Sequence, residues 1–184
     1  MKEIRIHGRG GQGAVTAAEL LARAVFYAGK YSQAFPNFGV ERRGAPLEAY
    51  VRVSDQSIRL RQQVYHPDFL IIMDKSLLMS SRTVHGVKKN TIVLVNSEHP
   101  CRCSNLKTYH VPATSIALEA LSNPNLINTA LMGAFAVLTG LVTADSLERA
   151  AQESFFHKGE DIIQKNIIAM KVARRFIEEE YLKK

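Results

Sequence analysis

The apolar positions of this chain change period along its length, and each change marks a new element. From Glu3 to His7 they alternate, with Ile4 and Ile6 on one face, which predicts a short strand. From about Ala14 to Ala28 the spacing becomes helical: Leu20, Leu21, Ala24 and Val25 share a face, and Gly29 supplies the stop. Tyr31 to Pro36 reads as a second strand, and Pro46 to Val53 alternates again through Leu47, Ala49, Val51 and Val53. Phe69 to Met73, closed by Asp74, and Thr91 to Asn96 are nearly unbroken apolar runs, as expected of strands buried on both faces of a sheet. Lys75 to Ser81 between them predicts a short helix, Thr108 to Val111 a further strand, and Ala113 to Leu121 a helix.

The final third reads as helical. Leu126 to Leu141 is apolar nearly all round, so that helix is expected in the core or under a partner subunit. Ser146 to Phe156 carries a weaker amphipathic pattern. Ile163, Ile167, Met170, Ala173, Ile177 and Tyr181 recur at intervals of three and four, which predicts an amphipathic helix with a solvated charged end. No repeat or long linker divides the 184 residues. The pattern predicts one α/β domain over residues 1–184: three layers, a mainly parallel sheet and a helical C-terminal third.

The joint between the first strand and the first helix is Gly8-Arg9-Gly10-Gly11-Gln12-Gly13. Glycines at 8, 10 and 13 satisfy the G-x-G-x-x-G spacing, and Gly11 adds a fourth. Such a loop lets backbone N–H groups approach an anion at the positive end of a helix, and Arg9 adds a charge. A tight strand–helix turn without a ligand is the other reading. A dinucleotide-binding unit would further require an acidic residue about 20 positions on, at the tip of the second strand, to hold ribose hydroxyls. Tyr31 to Pro36 has none, and the first carboxylate after the helix is Glu41 beside Arg42 and Arg43. The loop therefore points to an anion other than a nicotinamide or flavin dinucleotide.

A second stretch stands out by composition: Phe35-Pro36-Asn37-Phe38-Gly39-Val40-Glu41-Arg42-Arg43-Gly44-Ala45-Pro46. Glycines and prolines restrict its backbone, and the paired guanidinium forks of Arg42 and Arg43 suit phosphate or carboxylate groups. Glu41 is placed to orient one of them. The alternative is a solvated charge run on a stiff connection.

Composition adds exclusions. The net charge of +7, from 24 Lys and Arg against 17 Asp and Glu, fits a phosphorylated ligand or an acidic partner subunit. Nucleic acid fits less well, because the basic residues are scattered and not interleaved with aromatics. No signal peptide opens the chain, and the longest apolar region falls short of a comfortable membrane span and carries Asn128, Thr129 and Thr139. The cytoplasm is the expected compartment. Cys101 and Cys103, one residue apart, match neither paired zinc-ribbon units nor an iron–sulfur run. His7, His66, His85, His99, His110 and His157 are dispersed, with no nucleophile or acid at a telling spacing. No catalytic or metal-ligating residue is nominated, and the isolated chain is expected to be inactive.

The pairing of Gly8-Arg9-Gly10-Gly11-Gln12-Gly13 with the Phe35 to Pro46 stretch resembles the gamma subunit of 2-oxoacid:ferredoxin oxidoreductases. The aromatic-proline start and the Ala45-Pro46 ending resemble the pyruvate and branched-chain types. The resemblance continues through Tyr50-Val51-Arg52-Val53-Ser54-Asp55 and the Pro67-Asp68 strand entry. It implies a complex that converts a 2-oxoacid and coenzyme A into acyl-coenzyme A and carbon dioxide, passing two electrons to ferredoxin. It implies partner alpha, beta and delta subunits that carry thiamine diphosphate, magnesium and iron–sulfur clusters; a homodimer of the isolated chain is a separate expectation, from the apolar face of the Leu126–Leu141 helix. The gamma chain is then expected to bind no cofactor alone and to help hold coenzyme A at the active-site rim. Gly8, Arg9, Gly10, Gly11, Gln12, Gly13, Glu41, Arg42 and Arg43 are the candidate contacts. The contrasting class is a stand-alone nucleotide- or phosphate-binding regulatory protein using the same glycine loop.

Overall fold

Alternation along the strands is resolved by a sheet that buries both of its faces under different cover. A computed structural model of the chain describes residues 1–37 and 44–183. In order, the elements are β1 (Lys2–Arg9), α1 (Ala14–Tyr27), β2 (Tyr31–Asn37), β3 (Pro46–Ser54), β4 (Phe69–Ile72), α2 (Ser81–Val84), β5 (Ile92–Asn96), β6 (Lys107–Val111), α3 (Ala113–Leu121), α4 (Asn128–Thr139), α5 (Ala144–Phe155) and α6 (Glu160–Ile177). The six strands form one sheet in the order β2-β3-β1-β4-β5-β6. β1, β4, β5 and β6 are parallel, while β3 runs antiparallel between β1 and β2. The sheet is therefore mainly parallel, as expected, with β3 inserted into the β1–α1–β2 crossover.

The first face of the sheet carries the larger core. Ile4 and Ile6 of β1, Val51 of β3, Ile71 of β4 and Leu94 of β5 meet the apolar sides of α1, α3, α4, α5 and α6. α4 is buried from Asn128 to Ala136. Its cover comes from this chain's own α1, α3, α5 and α6. The expectation that a helix so apolar could need a partner subunit is thus met internally, because four flanking helices together cover what one sheet face cannot. Gly133 makes the closest approach: a Cβ there would lie 2.3 Å from the Met170 carbonyl oxygen and 2.7 Å from its Cα.

The second face is covered by short pieces. Leu70, Ile72, Val93 and Val95 pack with Leu77 and Cys103, with Val84, Val87 and Leu106 around them. The expected short helix from Lys75 to Ser81 is two pieces, a 3-10 turn over Lys75–Met79 and then α2, with Ser80 extended between them. Near β1 and β3 this face holds charge. Arg5 Nη2 donates to the carbonyls of Thr83 (2.9 Å) and His85 (2.8 Å) at the C-terminal end of α2. Arg52, fully buried, donates to Glu3 Oε1 (2.9 Å), Gln33 Oε1 (3.2 Å) and the carbonyls of Gln62 (2.6 Å) and Gln63 (3.2 Å). These bonds satisfy the buried Arg52 guanidinium, which would otherwise be costly to bury, and tie down the irregular segment 55–66.

Because Gly133 meets backbone and not a movable side chain, Gly133→Ala must push α4 and α6 apart. The expected loss is about 1–3 kcal/mol or more, read as a lowered urea midpoint with an unchanged slope. A variant as stable as the parent would show that the two helices part at no cost.

Candidate functional site

Parallel strands point their carboxyl ends to one pole, and the chain leaves β1 and β4 there on opposite faces. After β1 it enters α1 on the large-core face; after β4 it passes through the 3-10 turn and α2 on the other. The gap between these two exits is the switch point at which open α/β sheets take ligands. The glycine-rich loop lies at this gap.

The loop is held by its own backbone. Gly10 N–H donates to the Ala45 carbonyl (2.9 Å), and Gly44 N–H to the Gly10 carbonyl (3.1 Å), extending the β1–β3 pairing past Arg9 and Pro46. The Gln12 side-chain carbonyl accepts from Arg9 N–H (2.8 Å), while Gln12 N–H returns to the Arg9 carbonyl (3.0 Å). Gly8 is packed: a Cβ there would lie 3.2 Å from both Ala14 Cβ and Met73 Sδ. Gly11 and Gly13 have φ of 98° and 78°, in the left-handed region that favours glycine.

Arg9 is occupied within the chain. Its Nε donates to Asp74 Oδ2 (2.7 Å), Nη2 to Ser76 Oγ (2.8 Å) and Nη1 to the Gly44 carbonyl (3.1 Å). Burial pushes the Asp74 carboxyl upward, but donors from Ser76 and Arg9 outweigh it and hold the group below its usual range. Arg9 therefore braces the gap instead of projecting a free charge into it. Gly10 N–H, bonded to Ala45, likewise does not face the crevice as an open donor. Neither placement was legible from spacing, because both partners are more than 30 residues away in sequence.

What remains open is the start of α1. Gly13 is its N-cap residue, no side chain caps it, and its first turn carries no acidic residue. The first backbone bond of the helix is Ala17 N–H to the Gly13 carbonyl (2.8 Å). The N–H groups of Ala14, Val15 and Thr16 have no acceptor among the described residues. This is an uncompensated positive helix end. Glu41, Arg42 and Arg43 lie outside the described residues; the chain on either side, at Asn37 and Gly44, ends at this same pole.

Sequence reasoning also missed a buried group beneath the loop. The β1–β3 register sets His7 opposite Glu48. His7 Nδ1 lies 3.7 Å from Glu48 Oε1, and Glu48 Oε2 accepts from the Tyr50 hydroxyl (2.7 Å). His7 is 4% exposed, and its Nε2 has no hydrogen-bond partner. Burial drives its pKa from 6.5 down to about 4, against the opposing pull of Glu48. Burial likewise raises Tyr50, helped by its bond to Glu48.

Residues 3–176 match the profile of the pyruvate ferredoxin/flavodoxin oxidoreductase family. The chain belongs to that family. It is 50% identical over 173 residues to the pyruvate synthase subunit PorC of Methanothermobacter marburgensis, covering 94% of this chain and 96% of that one. It is 49% identical over 162 residues to the common gamma subunit of the pyruvate/ketoisovalerate oxidoreductases of Pyrococcus abyssi, covering 84% and 87%. The crystal structure of the pyruvate oxidoreductase subunit PORC from Thermotoga maritima superposes with a TM-score of 0.82 at 34% identity, covering 95% of each chain. The three-layer α/β fold is thus that of a gamma-type oxidoreductase subunit.

In this gamma-type chain both cysteines are free thiols, and burial pushes each upward from its ordinary value. Among the described residues no group of three or more His, Cys, Asp or Glu side chains is arranged so that it could hold a metal ion. Among them, too, no helix is long and apolar enough to cross a membrane.

The depressed His7 has a consequence for acid stability. Between pH 6.5 and about 4 the unfolded chain binds this proton and the folded chain does not, so stability falls as pH falls through that window. The full depression corresponds to roughly 3 kcal/mol. Urea midpoints measured from pH 7 to 4 should drop less for His7→Gln than for the parent. His110, also lowered by burial, is common to both curves and cancels in their difference. Parallel curves would show that His7 titrates normally.

Proposed function

We propose that, as the gamma subunit of a pyruvate or branched-chain 2-oxoacid:ferredoxin oxidoreductase, this chain holds the phosphate end of coenzyme A at the active-site rim. One observation carries the reading: the uncapped start of α1, with three uncommitted N–H groups, opens onto the switch point between β1 and β4. That end favours an anion, and coenzyme A brings several negative charges. Gly11 has open space where a side chain would stand, while Gly8, Arg9, Gly10 and Gln12 hold the loop in shape. Arg42 and Arg43 of the adjoining sequence supply the countercharge in this reading, with Glu41 as the neighbour suited to orient one of them.

In this assembly the alpha, beta and delta subunits hold thiamine diphosphate, magnesium and the iron–sulfur clusters. They carry out decarboxylation and electron transfer to ferredoxin in the cytoplasm. This chain brings the thiol substrate to the acyl group, which fits a subunit whose two cysteines are buried or half-buried and protonated. By itself it is expected to have no turnover.

The arginine pair is the direct test. A charge-assisted contact contributes about 1.5–3 kcal/mol, so Arg42→Ala or Arg43→Ala in the assembled enzyme should raise the KM for coenzyme A roughly 10- to 150-fold. Steady-state kinetics with coenzyme A varied at saturating 2-oxoacid gives the answer. If both variants keep the parental KM and instead block subunit assembly, the loop is an interface clamp and not a coenzyme contact.

A further inference from the structure

We infer that Asn128 is a coenzyme-binding residue: its side-chain amide donates to the diphosphate of coenzyme A, completing a cradle formed by the starts of α1 and α4. The inference rests on the coenzyme reading above and adds to it a contact from a helix more than 100 residues away in sequence. Asn128 is the first residue of α4 and is 5% exposed. A Cβ built on Gly13, the N-cap residue of α1, would lie 3.1 Å from Asn128 Nδ2 and 3.4 Å from its Cγ. The starts of the two helices therefore meet at these two residues, and Gly13 has no side chain to separate them.

The amide is half used. Its Oδ1 accepts from Thr129 N–H (3.0 Å), which fixes the rotation of the group and leaves Nδ2 turned toward Gly13. Nδ2 has two hydrogens and no acceptor among the described residues. The residue as a whole is 5% exposed, yet Nδ2 is not among the atoms sealed away without a partner, so this free donor stays open to a ligand that reaches the helix starts. α4, like α1, has no side-chain cap and no acidic residue in its first turn. The two helix starts thus meet with no carboxylate in either first turn, and their partial positive charge together with the amide donor favours an anion there. A dianionic diphosphate supplies enough acceptor oxygens to meet both helix starts and the amide together, whereas a carboxylate offers two.

Asn128→Asp separates a ligand contact from a packing role. The substitution keeps size and shape, retains the acceptor for Thr129, and replaces the donor by a negative charge at two positive helix ends. The free chain should then melt at a higher temperature than the parent, because the carboxylate fills the place of the missing anion. In the assembled enzyme the same variant should raise the KM for coenzyme A by at least about 10-fold, from loss of a charge-assisted donor. Asn128→Ala, which removes both atoms, should raise the KM without raising the melting temperature.

The substrate analogue identifies the contact. 3′-Dephospho-coenzyme A keeps the diphosphate, so both variants should show the same fold-increase with it as with coenzyme A. Pantetheine lacks the diphosphate, and with it the variant and parental enzymes should differ by less than about twofold, since the lost interaction is absent from both. An Asn128→Asp enzyme with the parental KM for coenzyme A, or one equally impaired with pantetheine, overturns the inference. If Arg42→Ala and Arg43→Ala raise the KM while Asn128→Asp does not, Asn128 alone is wrong. If none of the three raises it, the coenzyme reading itself fails.

Discussion

The ends of β1, β3 and β4 are joined at one place by Arg9 and by the backbone of Gly10. The guanidinium reaches Asp74 and Ser76 after β4 and the Gly44 carbonyl before β3, and Gly10 exchanges bonds with residues 44 and 45. The Arg9–Asp74 pair is about one-third to one-quarter exposed, so its energy is modest. Its effect is positional. With three strand ends fixed to one another, the loop from Arg9 to Gly13 has one path, and α1 starts directly over the gap between β1 and β4. Every later feature of the site inherits that placement.

A division of labour follows. The anion end is built from backbone N–H groups and helix starts, which recognise negative charge and not the identity of a base. Below it, the second face of the sheet is stiffened by polar residues: Arg5 binds the end of α2 through Nη2 while its Nε has no partner among the described residues, Arg52 binds segment 55–66, and half-buried Glu48 holds Tyr50. His7 stays neutral at physiological pH because burial outweighs its carboxylate neighbour, so it adds no charge of its own beneath the loop. On the function proposed above, such a subunit positions a charged substrate for chemistry performed elsewhere.

The elements themselves were legible in the sequence because most strands and helices keep a single period. Ala14 to Ala28 and the Phe69 run match α1 and β4 within a residue, and the apolar repeat from Ile163 to Tyr181 falls on α6 and the turn that follows it. Gly29 has the positive φ expected of a helix stop. What the pattern left unread has a common physical origin. Arg5 and Arg52 alternate with apolar residues, which in an isolated strand signals solvent; here a covering layer of short segments buries them, and that layer has no period to detect. α4 looked in need of a partner because pattern alone does not count flanking helices. At the site, the glycine loop was visible as a motif, but the commitment of Arg9 and of Gly10 N–H depends on Asp74, Ser76 and Ala45. Asn128 read as an interruption in an apolar run, since nothing in its neighbourhood marks the fold of α4 onto Gly13.

The central claim is that the meeting point of α1 and α4 receives the phosphates of coenzyme A. Amide hydrogen exchange in the assembled enzyme, with and without saturating coenzyme A, reads those backbone N–H groups directly. The account predicts slowed exchange in peptides covering residues 11–16 and 127–131 of this chain. Unchanged exchange in both peptides, with protection confined to other parts of the complex, would contradict it.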